Sequence, residues 1–167
     1  MAYCINCGAK TKSIIPPMDN RVREVCSVCS YVHYVNPNNI VGVIGSFEGK
    51  VLLCKRNTEP RKDYWTVPAG FMENGESLLD GAQREAKEEV GIEPVPSNLF
   101  MVYSVPHISQ VHFYFYSKLK DQSTTIGDEI NDVMFAAYKD IPWDDLAFNS
   151  IRAVSYTHLT LPTILLV

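Results

Sequence analysis

The stretch GFMENGESLLDGAQREAKEEVGI, from Gly70 to Ile92, carries the strongest structural signal in this chain of 167 residues. Three of its carboxylates belong to Glu85, Glu88 and Glu89, which are spaced i, i+3 and i+4. On an α-helix, which turns about 100° per residue, this spacing brings the three side chains onto one narrow face. A tight group of like charges favours a bound cation, and hard oxygen ligands are those that Mg²⁺ or Mn²⁺ prefers.

The residues around these carboxylates predict where the helix begins and ends. Ser77 can cap the N-terminus with Asp80 as its partner three positions later, and Gly91 favours a left-handed stop. Gly81, one turn before Glu85, either leaves room for a ligand or is simply a tolerated helix glycine. An apolar stripe is expected to pack into a core, and it consists of Leu78, Leu79, Ala82, Ala86 and Val90.

A run of glutamates alone is usually a solvated helix face. Here the stretch also fits the pattern Gly-x5-Glu-x7-Arg-Glu-U-x-Glu-Glu-x-Gly-U at every fixed position, with Ala86 as a mild variant at the first aliphatic position U. This pattern is the Nudix box, and the chain resembles a Nudix hydrolase. The resemblance implies hydrolysis of a nucleoside diphosphate linked to another moiety X, which yields a nucleoside monophosphate and phosphorylated X.

The resemblance also implies roles for residues of the box. Arg84 would orient the glutamates, whereas an ion pair from Arg84 to Glu76 is the purely structural interpretation of the same two residues. Bound metal ions would neutralise the diphosphate and lower the pKa of an attacking water. The ligands of the catalytic Mg²⁺ or Mn²⁺ would be three side chains and one backbone carbonyl, those of Glu85, Glu88, Glu89 and Ala69.

Nudix enzymes often use a further acid in the loop before a late strand, as a metal ligand or as the catalytic base. The corresponding loop here offers Glu129 and Asp132, and relatives tend to have a glutamate where Asp132 stands. The candidates for the base are therefore Glu129, Asp132 and Glu89. Either loop acid could equally be a solvated surface residue.

Three residues outside the box are candidates for contact with substrate. Arg56 and Arg61 precede the box, and guanidinium groups suit the paired oxygens of phosphates. Pro106 falls near a position where ADP-ribose pyrophosphatases often have a proline. Surface arginines and a proline that ends a strand are also common without any ligand.

The cysteines carry a second spacing signal. Cys4-x-x-Cys7 and Cys26-x-x-Cys29 have the spacing of a four-thiolate zinc ribbon, in which the zinc is structural because no coordination position stays open. Disulfides are the less favoured alternative, since nothing marks the chain as secreted. Cys54 lies in the apolar run VLLCKR and is interpreted as a small core residue rather than a nucleophile.

The order of predicted elements indicates a zinc ribbon over residues 1–36 and a Nudix domain over 37–152, in the α/β class. The expected fold is the Nudix α/β/α sandwich with a mixed sheet. Its predicted strands and last helix are Ile40–Phe47, Val51–Arg56, Phe100–Val105, Val111–Lys118, Val133–Tyr138 and, as the helix, Trp143–Val154. Residues 153–167 contain no charged residue and are expected to be an anomalous, non-native tail, with an apolar anchor or interface strand as the alternative.

Composition narrows the cellular setting and the partners. A net charge of -4 argues against a strongly basic platform for nucleic acid. No signal peptide opens the chain and no apolar run reaches the roughly 18 residues of a membrane span, so a soluble cytoplasmic protein is expected. The expected partners are a small-molecule nucleotide substrate and, in a possible homodimer, a second copy of the chain.

A ribbon ahead of the box resembles NADH pyrophosphatases, but the chain lacks their Ser-Gln-Pro-Trp-Pro-Phe-Pro signature. Four other segments of the chain resemble those of a group of shorter Nudix proteins, which have a zinc ribbon and are related to plant enzymes active on FAD and ADP-ribose. These two compounds are therefore the preferred substrates. One alternative is a pyrophosphohydrolase for NADH or NAD-capped RNA. Another is a non-catalytic nucleotide-sensing regulator, although such regulators commonly lose box glutamates that this chain keeps. The four segments that carry the resemblance to the shorter group are His33–Pro37, Trp65–Phe71, Pro106–Gln110 and Ile141–Phe148.

Overall fold

The structure, a computed structural model, describes residues 2–95 and 98–153, so most of the anomalous tail lies outside the described residues. The chain forms two compact units, Met1–Pro37 and Asn38–Val167. The first unit contains a three-stranded antiparallel sheet, formed by β1 (Thr11–Ile14), β2 (Arg23–Cys26) and β3 (Val32–His33).

The second unit is built on a seven-stranded mixed sheet with one long helix. The elements are β4 (Asn38–Phe47), β5 (Lys50–Arg56), β6 (Trp65–Thr66), β7 (Ala69–Phe71), α1 (Leu78–Val90), β8 (Asn98–Val105), β9 (Gln110–Lys118) and β10 (Ile130–Ala136). Five strands follow the order β10-β5-β4-β9-β8, while β6 pairs with β5 and β7 pairs with β4. All of these pairs are antiparallel except β4 with β9, which run parallel.

Apolar layers cover both faces of this sheet. On one face α1 packs over the sheet through a cluster that includes Val41, Val43, Leu52, Cys54, Ala82, Ala86 and Val90. On the other face, residues 141–151 cover the sheet. The apolar cluster there includes Ile44, Leu53, Trp65, Tyr114, Ile141, Leu146 and Ile151. The expected mixed sheet between layers of helical segments is thus confirmed.

Both predicted ends of α1 are confirmed. The Ser77 hydroxyl accepts from the Asp80 backbone N–H at 3.1 Å, and the Asp80 carboxylate accepts from the Ser77 N–H at 3.3 Å, which completes a capping box. Gly91 ends the helix in the left-handed region, with φ of 67°.

Two predictions about the surface of α1 need correction. Leu79 is 37% exposed and lies outside the buried stripe, which is therefore narrower than expected. Gly81 is buried, and a Cβ there would lie 3.0 Å from Val41 Cγ2 and 2.8 Å from Glu76 Oε2. Close packing of the helix on β4, rather than room for a ligand, accounts for Gly81.

The two predicted strand pairs are also present. Glu48 and Gly49 join β4 to β5 with φ of 48° and 75°, as a tight turn of mirror-image type requires. The antiparallel pair β8 and β9 is joined by a short 3₁₀ turn at Pro106–Ile108.

The last elements differ from the sequence-based expectation. Strand β10 begins at Ile130, which pairs with Arg56, rather than at Val133. In place of one helix from Trp143, the chain forms a 3₁₀ turn at Trp143–Asp145, and α-helical conformation begins at residue 149 and continues to 153, the last residue described. The backbone between them is used for tertiary pairing, because the Ala147 N–H donates to the Trp65 carbonyl at 2.8 Å.

Among residues 2–95 and 98–153, no helix is both long enough and apolar enough to cross a bilayer.

The contact between β4 and β7 generates a prediction about stability. A Cβ at Gly42 would lie 2.6 Å from Ala69 Cβ and 2.8 Å from the Pro68 carbonyl oxygen, neither of which can move without shifting backbone. We expect Gly42→Ala to lower the free energy of unfolding by about 1–3 kcal/mol. Urea unfolding followed by tryptophan fluorescence measures this change.

The matched control is Gly45→Ala in the same strand. Its nearest neighbour would be Leu119 Cδ1 at 3.0 Å, the far end of a flexible side chain that can give way. Equal destabilisation by the two variants would contradict the proposed backbone contact.

Candidate functional site

A cavity of about 490 Å³ opens along the carboxylate face of α1. The helix supplies one wall, β7 a second, and the loop before β10 a third. The structure therefore brings the box glutamates and Arg84 together with Glu129, which comes from a distant part of the chain. The lining residues are Gly70, Phe71, Glu73, Arg84, Glu85, Glu88, Glu89, Asp128 and Glu129.

Arg84 is the positive centre of this group. Its Nε donates to Glu76 Oε1 at 2.6 Å, so the predicted ion pair is present. Its Nη1 donates to Glu85 Oε1 at 2.7 Å and to Glu88 Oε2 at 3.0 Å, and its Nη2 donates to the Phe71 carbonyl at 3.0 Å. The hydrogen bond from Arg84 lowers the pKa of Glu76. One guanidinium thus fixes the loop before α1 and two of the box carboxylates.

Glu89 is the most buried of the three carboxylates, with only 6% of its surface exposed. Its Oε2 accepts from the Ala69 backbone N–H at 3.0 Å. Burial, together with the nearby charges of Glu85 and Glu129, raises the pKa of Glu89 to about 8, although the hydrogen bond from Ala69 opposes this rise. Burial also raises the pKa of Glu85, against the opposing effect of Arg84. The ionised form of this cluster is therefore costly without a further cation.

The donor set fits a divalent metal ion. The carboxylates of Glu85, Glu88 and Glu89 line one cavity, and burial together with the charges of neighbouring carboxylates raises the pKa values of Glu85 and Glu89. Such a group supplies closely spaced, negatively charged oxygen ligands, which Mg²⁺ and Mn²⁺ prefer. A Cβ at Gly70 would lie 2.4 Å from the Glu85 carboxylate, so a larger residue there would displace this carboxylate from its hydrogen bond with Arg84. The carbonyl of Ala69 stays a predicted additional ligand.

The loop that carries Glu129 is clamped to the rest of the site. The Gly127 N–H donates to the Glu89 carbonyl at 2.9 Å, and a Cβ at Gly127 would lie 2.2 Å from the carbonyl oxygen of Glu88. On the other side, the Asn57 N–H donates to the Glu129 carbonyl at 2.8 Å. Sequence reasoning missed Asn57 and Gly127, since neither belongs to a motif.

The two loop acids occupy different positions. Glu129 lines the cavity, whereas Asp132 lies on β10 opposite Lys55, is exposed, and accepts from the Val133 N–H at 2.8 Å. The structure thus brings Glu129, and not Asp132, to the box carboxylates.

The other predicted contacts are divided between two further cavities. Arg56 lines one of about 440 Å³ that shares Gly70 and Glu89 with the carboxylate site, and its guanidinium lies 5.3 Å from the ring centre of Phe148. Arg61 and Pro106 line a separate cavity of about 390 Å³. Of the three, only Arg56 therefore borders the cavity that joins the carboxylates.

The four predicted zinc ligands form one cluster in the first unit. The Sγ atoms of Cys4, Cys7, Cys26 and Cys29 all lie within 4.8 Å of one another, and all four are free thiols. Backbone N–H donors lower the pKa of Cys26 and that of Cys29, the latter to about 6, which favours thiolates at these two positions, whereas hydrogen bonds with the other thiols raise the pKa of Cys7. The set fits a tetrahedral zinc ion and not the disulfide alternative. Cys54 is fully buried, as predicted for a core residue.

Comparison with known proteins agrees with both units. Residues 36–157 match the NUDIX domain family and residues 2–35 match the Nudix N-terminal zinc ribbon. The chain therefore belongs to the Nudix family. A crystal structure of a NUDIX hydrolase from Nitrosomonas europaea is 43% identical, with a TM-score of 0.89 over 95% of this chain and 90% of that one.

Two curated relatives have named activities. An ADP-ribose pyrophosphatase from Methanocaldococcus jannaschii is 40% identical over 76 residues, which are 46% of this chain. An NAD-capped RNA hydrolase NudC from Haemophilus influenzae is 29% identical over 164 residues, which are 95% of this chain. The chain spans 45% and 60% of the lengths of these two relatives.

The cysteine cluster predicts one equivalent of zinc per chain. We expect Cys26→Ser to lose most of the bound zinc, because a tetrahedral thiolate site with three sulfur ligands binds it far less tightly. Elemental analysis by mass spectrometry measures the metal. The control is Cys54→Ala, which should keep the zinc; its loss there, or a disulfide within the cluster, would refute the assignment.

Burial of Glu89 predicts a pH dependence of stability in the absence of added Mg²⁺ or Mn²⁺. Its pKa of about 8 exceeds the ordinary value of 4.5, so the stability contributed by the protonated form is complete below pH 4.5 and is lost as the pH rises through 8. We expect wild type to lose a few kcal/mol over this range relative to Glu89→Gln.

Urea unfolding at a series of pH values measures the difference between the two proteins. Adding Mg²⁺ at pH 8 should restore the stability of wild type and leave Glu89→Gln almost unchanged. The control, Glu48→Gln in the β4–β5 turn, should follow wild type; parallel pH profiles for wild type and Glu89→Gln would contradict the predicted cost of ionising Glu89.

Proposed function

We propose that this member of the Nudix family is a metal-dependent pyrophosphohydrolase. Its substrate would be a small-molecule nucleoside diphosphate linked to another moiety, and its products a nucleoside monophosphate and a phosphorylated X. The observation that carries this proposal is the convergence of Glu85, Glu88, Glu89 and Glu129 on one cavity beside the close backbone of Gly70.

In this proposal, different side chains bind the metal ion, hold its ligands in place and accept the proton of the attacking water. A bound Mg²⁺ or Mn²⁺, held by Glu85, Glu88 and Glu89, would supply charge neutralisation and an acidic water. Arg84 holds Glu85 and Glu88 in place through its Nη1 atom. The proton of the attacking water would pass to Glu89 or Glu129, because both carboxylates border the cavity and a carboxylate can act as a general base.

The preferred substrates are ADP-ribose and FAD. The similarity to an ADP-ribose pyrophosphatase supports this choice, and so does the second cavity, which offers space for a nucleotide group beside the carboxylates. Arg56 would contact the phosphates from that cavity. Arg61 and Pro106 would reach only a part of the substrate that extends into the third cavity.

NADH or NAD-capped RNA is the second candidate substrate. The similarity to an NAD-capped RNA hydrolase extends over 95% of this chain and includes the ribbon, which favours this candidate. The net charge of -4 favours a small nucleotide over RNA.

The proposed reaction predicts release of AMP from ADP-ribose or FAD in the presence of Mg²⁺ or Mn²⁺. We expect Glu129→Gln to lower kcat by about 10²-fold or more, because the variant removes a carboxylate that faces the reacting groups. Chromatography of AMP measures the rates, with NADH and NAD-capped RNA assayed in parallel.

Asp132→Asn is the matched control, since it removes a carboxylate from the same loop region but outside the cavity. It should retain kcat within about twofold. Equal losses in the two variants would contradict the assignment of Glu129. Absence of turnover with every compound would overturn the enzyme proposal, and tight nucleotide binding without turnover would support the nucleotide-sensing regulator.

A further inference from the structure

A row of polar side chains lies beneath the second cavity, on the face of the sheet opposite α1. Gln110, His112 and Tyr114 alternate along β9, so their side chains share one face. Ser150, from the last described helical residues, packs over them. His112, Tyr114 and Ser150 are 5%, 1% and 2% exposed, which makes this a buried polar group within an otherwise apolar layer.

The hydrogen bonds of this group determine where its protons lie. His112 Nε2 is 3.0 Å from Gln110 Oε1, and a carboxamide oxygen can only accept, so Nε2 carries the proton. His112 Nδ1 must then accept, and the hydroxyls of Tyr114 and Ser150 each lie 3.1 Å from it. These hydroxyls are also 3.1 Å apart, so one donates to Nδ1 and the other to its neighbour. Burial lowers the pKa of His112, which agrees with a neutral ring.

This arrangement orients the amide of Gln110. With its oxygen bound to His112, the amide nitrogen is turned away from the ring, and no hydrogen bond among the described residues uses that nitrogen. Gln110 lines the second cavity together with apolar and aromatic side chains, those of Ile40, Phe71, Ile108 and Phe148. The cavity therefore combines apolar and aromatic walls that suit a flat ring with a hydrogen-bond donor whose orientation is fixed by His112, in addition to the guanidinium of Arg56.

The position of the second cavity relates it to the carboxylate site. The two cavities share Gly70, Phe71, Glu89 and Glu129 as lining residues. A diphosphate bound at the carboxylates would place a directly attached nucleoside in the second cavity, whose volume of about 440 Å³ is large enough for it.

We propose that Gln110 is a specificity-determining residue that donates a hydrogen bond from its amide nitrogen to an acceptor atom of the substrate's nucleobase. The acceptor is a ring nitrogen or an exocyclic carbonyl. His112 is a positioning residue that holds the Gln110 amide in this orientation, and Tyr114 and Ser150 in turn hold the histidine. The location of the diphosphate in this proposal rests on the proposed function.

Calorimetric titration with AMP and with ribose 5-phosphate, which lacks the base, tests the proposal on the full chain with Mg²⁺. Wild type should bind AMP at least about tenfold more tightly than ribose 5-phosphate. Gln110→Met keeps the length of the side chain and removes the donor. It should weaken AMP binding about tenfold and leave ribose 5-phosphate binding unchanged.

Two variants of the histidine test its positioning role. His112→Phe keeps a ring but cannot donate to Gln110, so it should lose the preference for AMP as Gln110→Met does. His112→Gln places an amide donor near the position of Nε2 and should recover most of that preference. Circular dichroism and thermal melting check that each variant is folded, and a merely structural role would weaken both ligands equally and give no recovery.

Several results would overturn the proposal. These are equal affinity of wild type for the two ligands, no binding of either, an unchanged preference in Gln110→Met, or equal weakening of both ligands in the variants. Because binding of AMP is measured without turnover, the preference can be present even if no hydrolysis is found. Failure of the proposed function and failure of this inference are therefore distinguishable.

Discussion

Repulsion among the carboxylates of Glu85, Glu88 and Glu89 is the constraint around which the site is arranged, because helical spacing forces all three onto one face of α1. Arg84 offsets part of that repulsion at the exposed end of the face. At the buried end, a single neutral N–H from Ala69 contacts Glu89. The backbone also approaches α1 closely at two glycines, with Gly70 beside the Glu85 carboxylate and Gly127 beside the Glu88 carbonyl.

Local signals predicted the parts of the structure that depend on neighbouring residues in the chain. The caps of α1, the turn at Glu48 and Gly49, and the cysteine cluster all follow from short spacings and were found where expected. The last helix was predicted too early because tertiary pairing of Ala147 with Trp65 competes with helix formation, and no local pattern reveals such a pairing.

The rest of the candidate site depends on long-range packing. Sequence offered Glu129 and Asp132 as equivalent acids, and only the clamp of the loop by Asn57 and Gly127 places Glu129 on the cavity. The polar group of Gln110, His112 and Tyr114 on β9 could not be predicted from the sequence for a different reason. Its alternation of polar and apolar residues is that of a strand with one solvated face, whereas His112 and Tyr114 are buried beneath the chain around Ser150.

The parallel pairing of β4 with β9 has a consequence for the order of folding. It joins residues about seventy positions apart, such as Asn38 and Gln110, across the middle of the sheet. Closing so long a loop is entropically costly, and sheets rich in such distant contacts fold slowly. During synthesis the β4–β5 hairpin and α1 emerge from the ribosome before β9. The helix α1 can therefore complete its packing on the sheet only after β9 has been synthesised and has paired with β4.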